Sequence, residues 1–212
     1  MKIVDLTHFI SPNMPAYPGT EPPTFNTECT IEAVGFLEKK MGLYSHTGTH
    51  IDAPAHIIRG AKTLDQFSAD KFIGNAYSVD LTRIYGPVID ISALEPHEDS
   101  INKNEFVLLN TGWSRYWGTE RYFADYPVLS AEAAVWLNGF GLKGLGLDVI
   151  SPDRVGSTDF PIHRIFLAQN TIMIENLTNL QALPAKEFMF SCFPLKIEQA
   201  DGSPVRAVAI IT

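Results

Sequence analysis

The stretch HTGTHIDAPAH, residues 46–56, contains half of the chain's six histidines. Its first part has the spacing H-x-x-x-H-x-D, with His46, His50 and Asp52 at the fixed positions. Neutral imidazole and carboxylate together are the ligands that suit zinc, manganese or iron. Any one histidine could instead bond to core backbone, with the aspartate as a cap, but this alternative weakens when the residues occur together. The stretch therefore predicts a metal site.

The spacing also constrains the local conformation. On a straight strand, at ~3.3 Å per residue, His46 and His50 would be about 13 Å apart, too far to share an ion. A long helix is disfavoured because Gly48 is a poor helix former and Pro54 would block continuation. A single turn around Gly48 and an extended step from His50 to Asp52 would direct all three side chains to one side.

His56 lies beyond Pro54, within reach of the site but at a spacing unlike that of a ligand. This position favours a group that transfers protons. The alternatives are a surface histidine and one that supports a ligand from behind.

The composition of the whole chain narrows the class of protein. A length of 212 residues with 45% hydrophobic content is enough for a sizeable core, so we expect a single domain over residues 1–212. The net charge of −8 offers no basic face, and neither nucleic acid nor a membrane is expected as a partner. Apolar runs fall short of the ~18–20 residues of a membrane span. Asp5 and His8 interrupt the apolar stretch that a signal peptide would need, so a cytoplasmic protein is expected. Cys29 and Cys192 stand alone and are expected to be reduced.

Short β-rich runs recur along the chain. They cover residues 3–6, 77–81, 88–91, 106–109, 145–149, 171–174, 188–190 and 205–211. The clearest helix covers 130–141, with Ser130 as N-cap and Gly139 or Gly141 at its end, and a shorter helix is expected over 161–168. So few helices among so many strands favour a mixed α/β fold around a central sheet.

The histidine-rich stretch resembles the H-x-G-T-H-x-D-x-P-x-H signature of the cyclase-like metal-dependent hydrolases, the family of bacterial kynurenine formamidase and isatin hydrolase. The resemblance extends to DLTHFISPNMPAYPG at 5–19, GLDVISPD at 146–153 and FPLKIEQADGSPVRAVAI at 193–210. It implies a single mixed-sheet domain of the cyclase-like, swivelling β/β/α type with few helices. It also implies a homodimer or homotetramer.

The resemblance further implies roles for individual residues. On this basis the metal ligands are His46, His50, Asp52, His163 and Glu175, and His56 is the proton donor and acceptor. His163 and Glu175 stand twelve residues apart in HRIFLAQNTIMIE, as the corresponding ligands of the family do. The cofactor would be one or two zinc ions, or manganese. A mononuclear manganese site, as isatin hydrolase suggests, would leave His163 and Glu175 idle or in a supporting role.

The sequence around Glu175 supports this assignment independently. His163 falls in the expected short helix, and Glu175 ends an apolar strand, where an acidic side chain is unfavourable without a partner. A metal would be such a partner, and a strand-end carboxylate in solvent is the alternative. In GLDVISPD, the side chains of Asp148, Ser151 and Asp153 are expected to support a loop through hydrogen bonds.

This set of residues favours amide hydrolysis. A metal can lower the pKa of bound water from ~15.7 to about 7 and polarise a carbonyl, and His56 could then protonate the departing nitrogen. The sequence lacks GxSxG, and its GFGLKGLG runs from a helix end into a strand, the wrong order for a dinucleotide site. Together with this chemistry, the resemblance implies an arylformamidase, which converts N-formylkynurenine to kynurenine and formate. An isatin-type cyclic-amide hydrolase and a catalytically silent metal- or ligand-binding relative remain as alternatives.

Tyr17, in AYPG, is the candidate residue for binding a small aromatic amide substrate. It stands where many kynurenine formamidases have a tryptophan. Trp113, Tyr116 and Trp117 are further aromatic candidates, with packing as the alternative role. Arg115 could meet a substrate carboxylate or lie in solvent.

Overall fold

The computed structural model describes residues 1–212 and contains thirteen strands and five short α-helices. The strands are β1 (Lys2–Asp5), β2 (Thr24–Cys29), β3 (Glu38–Gly42), β4 (His50–Asp52), β5 (Ile73–Asp80), β6 (Val88–Ile89), β7 (Phe106–Asn110), β8 (Val128–Leu129), β9 (Gly144–Leu147), β10 (Ile172–Glu175), β11 (Phe188–Ser191), β12 (Gly202–Pro204) and β13 (Val208–Ile211). The helices are α1 (Ile31–Val34), α2 (Ile91–Leu94), α3 (Glu98–Asn102), α4 (Ala131–Asn138) and α5 (Pro161–Leu167). None of these helices has the length and hydrophobicity needed to cross a bilayer.

Nine strands form one mixed sheet in the order β1-β13-β11-β5-β7-β9-β10-β4-β12. The central strands β5, β7, β9 and β10 run parallel, whereas the outer strands pair antiparallel on both sides. Parallel strands are typically covered on both faces, and β7 and β10 are buried along their whole length. The sheet and the few helices confirm the predicted mixed α/β class.

Two hydrophobic clusters, one on each face, hold the sheet. Val107 and Leu109 of β7 belong to the cluster that also contains buried residues of α4 and α5. Phe106 and Leu108 belong to the other cluster. Alternate residues of a strand point to opposite faces, so β7 contributes to both cores.

The predicted helices are present with slightly different ends. The Ser130 hydroxyl accepts a hydrogen bond from the backbone N–H of Ala133 at 3.1 Å, which confirms the N-cap of α4, and the helix ends at Asn138 before Gly139. Helix α5 confirms the shorter prediction. The run expected over 205–211 begins as a strand only at Val208, because β12 and β13 pair with different neighbours.

The sequence patterns missed the hairpin formed by β2 and β3, which α1 joins. This hairpin pairs only with itself, and almost all of its residues are exposed. Its apolar side chains include Ile31, Phe36 and Met41, which are more than half exposed. Because neither strand buries a face, the sequence of the hairpin shows no regular alternation of apolar and polar residues, which is the pattern that predicts a strand.

Candidate metal centre and pocket

A sharp bend leads the chain into the histidine-rich stretch. His46 lies in a turn, Gly48 has a φ of +65°, and β4 begins at His50. Glycine suits this position because a positive φ is unfavourable for residues with a Cβ. A Cβ at Gly48 would also lie 3.3 Å from Ile10 Cγ1. The structure confirms the predicted bend and the extended step from His50 to Asp52.

Strand β4 lies between β10 and β12 and is antiparallel to both. Glu175, the last residue of β10, lies opposite His50, and Gly202 of β12 lies opposite Asp52. Residues directly opposite each other in an antiparallel pair lie on the same face of the sheet. The register therefore brings Glu175 beside the side chains of β4.

The start of α5 brings His163 to the same point. The Asp153 carboxylate accepts hydrogen bonds from the backbone N–H groups of Ile162 at 2.9 Å and His163 at 3.1 Å. It also accepts one from His163 Nδ1 at 2.6 Å. The Ser151 hydroxyl accepts from the backbone N–H of Asp153, and Asp148 accepts two backbone hydrogen bonds. The GLDVISPD segment thus has the predicted supporting role and also fixes the ring of His163.

Three histidines each direct one nitrogen towards Asp52, and two of them also approach Glu175. Asp52 Oδ1 lies 2.6 Å from His46 Nδ1 and 3.2 Å from His50 Nε2. Asp52 Oδ2 lies 3.4 Å from His163 Nε2. Glu175 Oε2 lies 3.4 Å from His50 Nε2, and its Oε1 lies 3.3 Å from His163 Nε2. The five side chains expected as ligands are therefore brought together by the fold.

The other nitrogen of each histidine donates to an oxygen outside the cluster. His50 Nδ1 donates to the Gly48 carbonyl at 2.8 Å, and His46 Nε2 donates to Asp201 Oδ2 at 3.0 Å. His163 has the bond to the loop carboxylate described above. Metal-binding histidines almost always donate their second N–H to a carboxylate, a carbonyl or water, which fixes the tautomer and the ring.

The electrostatics of the cluster favour positive charge at its centre. Burial lowers the pKa of His50, but the charge of Asp52 and hydrogen bonds with Asp52 and Glu175 outweigh it and raise the pKa to about 10. Burial also opposes protonation of His163, yet the hydrogen bond with Asp153 and the nearby carboxylates of Asp52 and Glu175 raise its pKa to about 12. Burial raises the pKa of Asp52, but the charges of His46 and His50 reverse this effect and hold it well below its usual value.

The donor set fits a divalent metal ion. Glu175 Oε1 is buried and has no hydrogen bond, although His163 Nε2 lies 3.3 Å away. A buried carboxylate oxygen without a partner is unfavourable, and a cation would satisfy it. Two sets of side chains have ligand atoms within 4.8 Å of one another: His50, Asp52 and Glu175, and His46, Asp52 and His56.

His56 differs from the other three histidines. It ends the short 3-10 turn that begins at Pro54, and it is half-buried in the wall of a cavity. Its ring centroid lies 3.9 Å from that of His46, and its Nδ1 lies 3.7 Å from Asp201 Oδ2 without a hydrogen bond. Burial lowers the pKa of His56, so the imidazole is neutral at neutral pH and can accept a proton.

The cavity beside the cluster has a volume of about 350 Å³. Tyr17, Tyr44 and Phe160 supply aromatic wall, and Tyr17 is placed where the sequence analysis expects a substrate-binding residue. The lining contains no lysine or arginine, whereas it includes the exposed carboxylate of Glu21. A cavity of this size and composition suits a small aromatic molecule.

The remaining aromatic candidates lie away from this cavity. Trp113 is buried in the core, and its indole N–H donates to a backbone carbonyl. Trp117 stacks on His8 at 3.9 Å between ring centroids. The Arg115 guanidinium lies over the Tyr116 ring at 4.7 Å. These residues have packing roles, so Arg115 is not placed to meet a substrate carboxylate.

Sequence reasoning missed two residues of the site. Asn176 Nδ2 donates to the Gly48 carbonyl at 2.9 Å, and the Asn176 carbonyl accepts from the Thr49 hydroxyl at 2.6 Å, which holds the bend against β10. Asp201 reaches His46 from the far end of the chain. The only local signal for Asp201 is the Asp-Gly pair at 201–202, which is typical of a turn.

The Cyclase family model matches residues 4–154, more than half of the chain. The chain belongs to the Cyclase family. This member is 27% identical over 206 residues to the kynurenine formamidase of Bacillus cytotoxicus, across 97% of this chain and 95% of that relative. An isatin hydrolase solved with the product analogue thioisatinate superimposes with a TM-score of 0.88 at 26% identity, covering 99% of this chain and 92% of the other. A potential metal-dependent hydrolase with cyclase activity superimposes with a TM-score of 0.83 at 25% identity, over 98% and 96% of the two chains.

These comparisons confirm the predicted family and the cyclase-like fold. The relatives are hydrolases, and one structural neighbour is described as metal-dependent. The kynurenine formamidase and the isatin hydrolase differ in substrate, so an identity near 27% leaves the substrate of this family member to be tested.

Proposed function

We propose that this protein is a metal-dependent amide hydrolase whose substrate is an N-formylated arylamine, N-formylkynurenine first of all. The observation that carries the proposal is the orientation of three histidines. Each directs one nitrogen towards Asp52 or Glu175 and donates the other N–H to an outside oxygen. This arrangement is typical of metal-binding histidines.

The residues proposed to hold the metal are His46, His50, Asp52, His163 and Glu175. Histidine nitrogens with carboxylate oxygens accept zinc and manganese alike, and because Asp52 faces all three of these histidines, the set would accommodate one or two ions. When bound, the metal would supply an activated water at neutral pH and polarise the carbonyl under attack. In the metal-free cluster, protons occupy the positions that the cation would take.

His56 is proposed to move the proton. Its imidazole is neutral, lies in the cavity wall and lacks the outside hydrogen bond that orients the three proposed ligands. It can therefore accept a proton from water and deliver it to the departing arylamine nitrogen. Tyr17 is proposed to stack on the aryl group and so to hold the amide against the cluster.

Two features bear on the choice of substrate. The similarity to kynurenine formamidase supports a formyl amide, and the exposed carboxylate of Glu21 in the cavity wall suits a substrate with an ammonium group, as N-formylkynurenine has. The structural similarity to isatin hydrolase supports a cyclic amide as the second candidate. The homodimer or homotetramer and the cytoplasmic location stay predictions.

The test is hydrolysis of N-formylkynurenine and of isatin by zinc-loaded, manganese-loaded and chelator-treated protein. We expect kynurenine and formate from the first substrate with loaded protein, and none after chelation. If the protein hydrolyses isatin alone, N-formylkynurenine is not its substrate, but the protein is still a metal-dependent amide hydrolase. Activity that survives complete removal of metal, or inactivity on both amides by protein shown to hold metal, would contradict the proposal.

A further inference from the structure

The residue just before β12, Asp201, lies against the proposed metal centre. Its carbonyl accepts a hydrogen bond from the backbone N–H of Ala53 at 2.8 Å, which continues the pairing of β4 with β12. The backbone of Asp201 is therefore fixed to the strand that carries His50 and Asp52. Its carboxylate is about half exposed and lines the cavity.

A single oxygen of this carboxylate faces two imidazoles. Asp201 Oδ2 accepts the hydrogen bond from His46 Nε2 at 3.0 Å and lies 3.7 Å from His56 Nδ1. The two rings are 3.9 Å apart between centroids and tilted by 37°. One carboxylate thus contacts a proposed metal ligand and the proposed proton carrier from the same side.

The next residue, Gly202, leaves space for the ring of His46 because it has no Cβ. A Cβ at Gly202 would lie 2.5 Å from His46 Cε1 and 2.8 Å from its Nε2, distances that the atoms of real proteins do not tolerate. The ring therefore rests on the bare backbone of Gly202 while the preceding carboxylate holds its Nε2. These two neighbours fix the ring by contact and by hydrogen bond together.

We propose that Asp201 is a positioning residue for both histidines, an inference that rests on the proposed function. By accepting the Nε2 proton of His46, it keeps Nδ1 of that ring on the side of Asp52, where a metal would bind. By facing Nδ1 of His56, it keeps the opposite nitrogen of that ring available to the cavity. Hydrogen bonds of catalytic groups are often long before substrate binds, so the 3.7 Å separation is compatible with this role.

The experiment compares Asp201→Ala and Asp201→Asn with the wild type and with Asp70→Asn, which changes an exposed aspartate outside the cavity. Titration calorimetry with zinc and with manganese gives the dissociation constant of the metal for each chelator-treated protein. Loss of a carboxylate that orients a ligand histidine typically weakens metal binding by about 10–100-fold. We expect a change of this size for Asp201→Ala, a smaller one for Asp201→Asn, whose amide oxygen can still accept, and none for Asp70→Asn.

Steady-state kinetics at saturating metal then separate positioning from substrate contact. We expect kcat to fall in both Asp201 variants while KM stays within about twofold of the wild-type value. Unchanged metal affinity and unchanged kcat in Asp201→Ala would overturn the proposal, as would a rise in KM alone, because that result would make Asp201 a substrate contact. If the wild type hydrolyses neither amide, the calorimetry still decides whether Asp201 positions His46. Thermal unfolding of each variant excludes loss of the fold as the cause, and Asp201→Asn serves if Asp201→Ala is unstable.

Discussion

The site has two parts that differ sharply in their contact with solvent. The inner group, His50, Asp52, His163 and Glu175, has side chains that are at most 6% exposed. In the outer group, the side chains of His46, His56 and Asp201 are 22%, 28% and 47% exposed. Charge interactions are stronger where water is excluded. The inner group is therefore suited to hold a cation with His46 at its edge, and His56 of the outer group is suited to exchange protons with a substrate.

His163 of the inner group and His56 of the outer group have pKa values that are shifted in opposite directions. His163 is buried and His56 is half-buried, and burial lowers the pKa of each. His163 also donates a hydrogen bond to Asp153 and lies beside the carboxylates of Asp52 and Glu175, and together these raise its pKa to about 12. His56 has no such bond, so its pKa stays below the usual value. Contact with carboxylates, more than the degree of burial, decides which of these histidines is protonated and which is neutral.

The largest expected effect comes from removing the charge at the centre of the inner group. Asp52→Asn preserves the shape of the side chain but removes the negative charge that faces His46, His50 and His163. We expect loss of all measurable metal binding and of activity, because a neutral amide does not balance a divalent ion among these residues. Metal analysis of the purified variant and an amide hydrolysis assay check this. Wild-type metal content in the variant would show that the inner group is not the metal site.

Substitution in the outer group should separate catalysis from metal binding. His56→Gln removes the proposed proton carrier, and we expect kcat to fall by about 10²–10⁴-fold, the usual contribution of general acid–base catalysis, with metal content unchanged. His97→Gln is the matched control, because His97 lies outside the cavity and bonds with the Tyr77 hydroxyl. Loss of metal in His56→Gln would instead assign His56 as a ligand, which the proximity of its ring to His46 allows.

The parts of the site that sequence reasoning predicted are those set by local chemistry. Gly48 had to bend the chain for His46 and His50 to converge, and the bend is present. The outer carboxylate could not be predicted in this way, because Asp201 meets His46 only through the pairing of β12 with β4, and both strands are three residues long. Strands this short carry too little hydrophobic alternation to be detected. Asp153 was correctly expected to support a loop, but its bond to the ring of His163 depends on how α5 packs.

The smallest expected effect, a shift in stability with pH, tests whether the histidines that face Asp52 are arranged to bind a cation. Without metal, the folded-state pKa values of about 9 for His46 and about 10 for His50 exceed the value of 6.5 expected in the unfolded chain. Their contribution to stability is therefore complete below pH 6.5 and is lost as the pH rises through 9 and 10. With metal bound the trend reverses, because fewer protons compete for the imidazole nitrogens at higher pH.

The difference in melting temperature between metal-loaded and chelator-treated protein should consequently widen from pH 6.5 to pH 9. A chain of this length changes its Tm by about 2–4 °C for each kcal/mol, so thermal unfolding in the two buffers can measure the effect. The widening should persist in His56→Gln, because the pKa of His56 is lowered and its protonation does not stabilise the metal-free fold. A difference that stays constant or narrows would mean that protons and metal do not compete for His46 and His50. The contrast between the two parts of the site would then reflect burial alone.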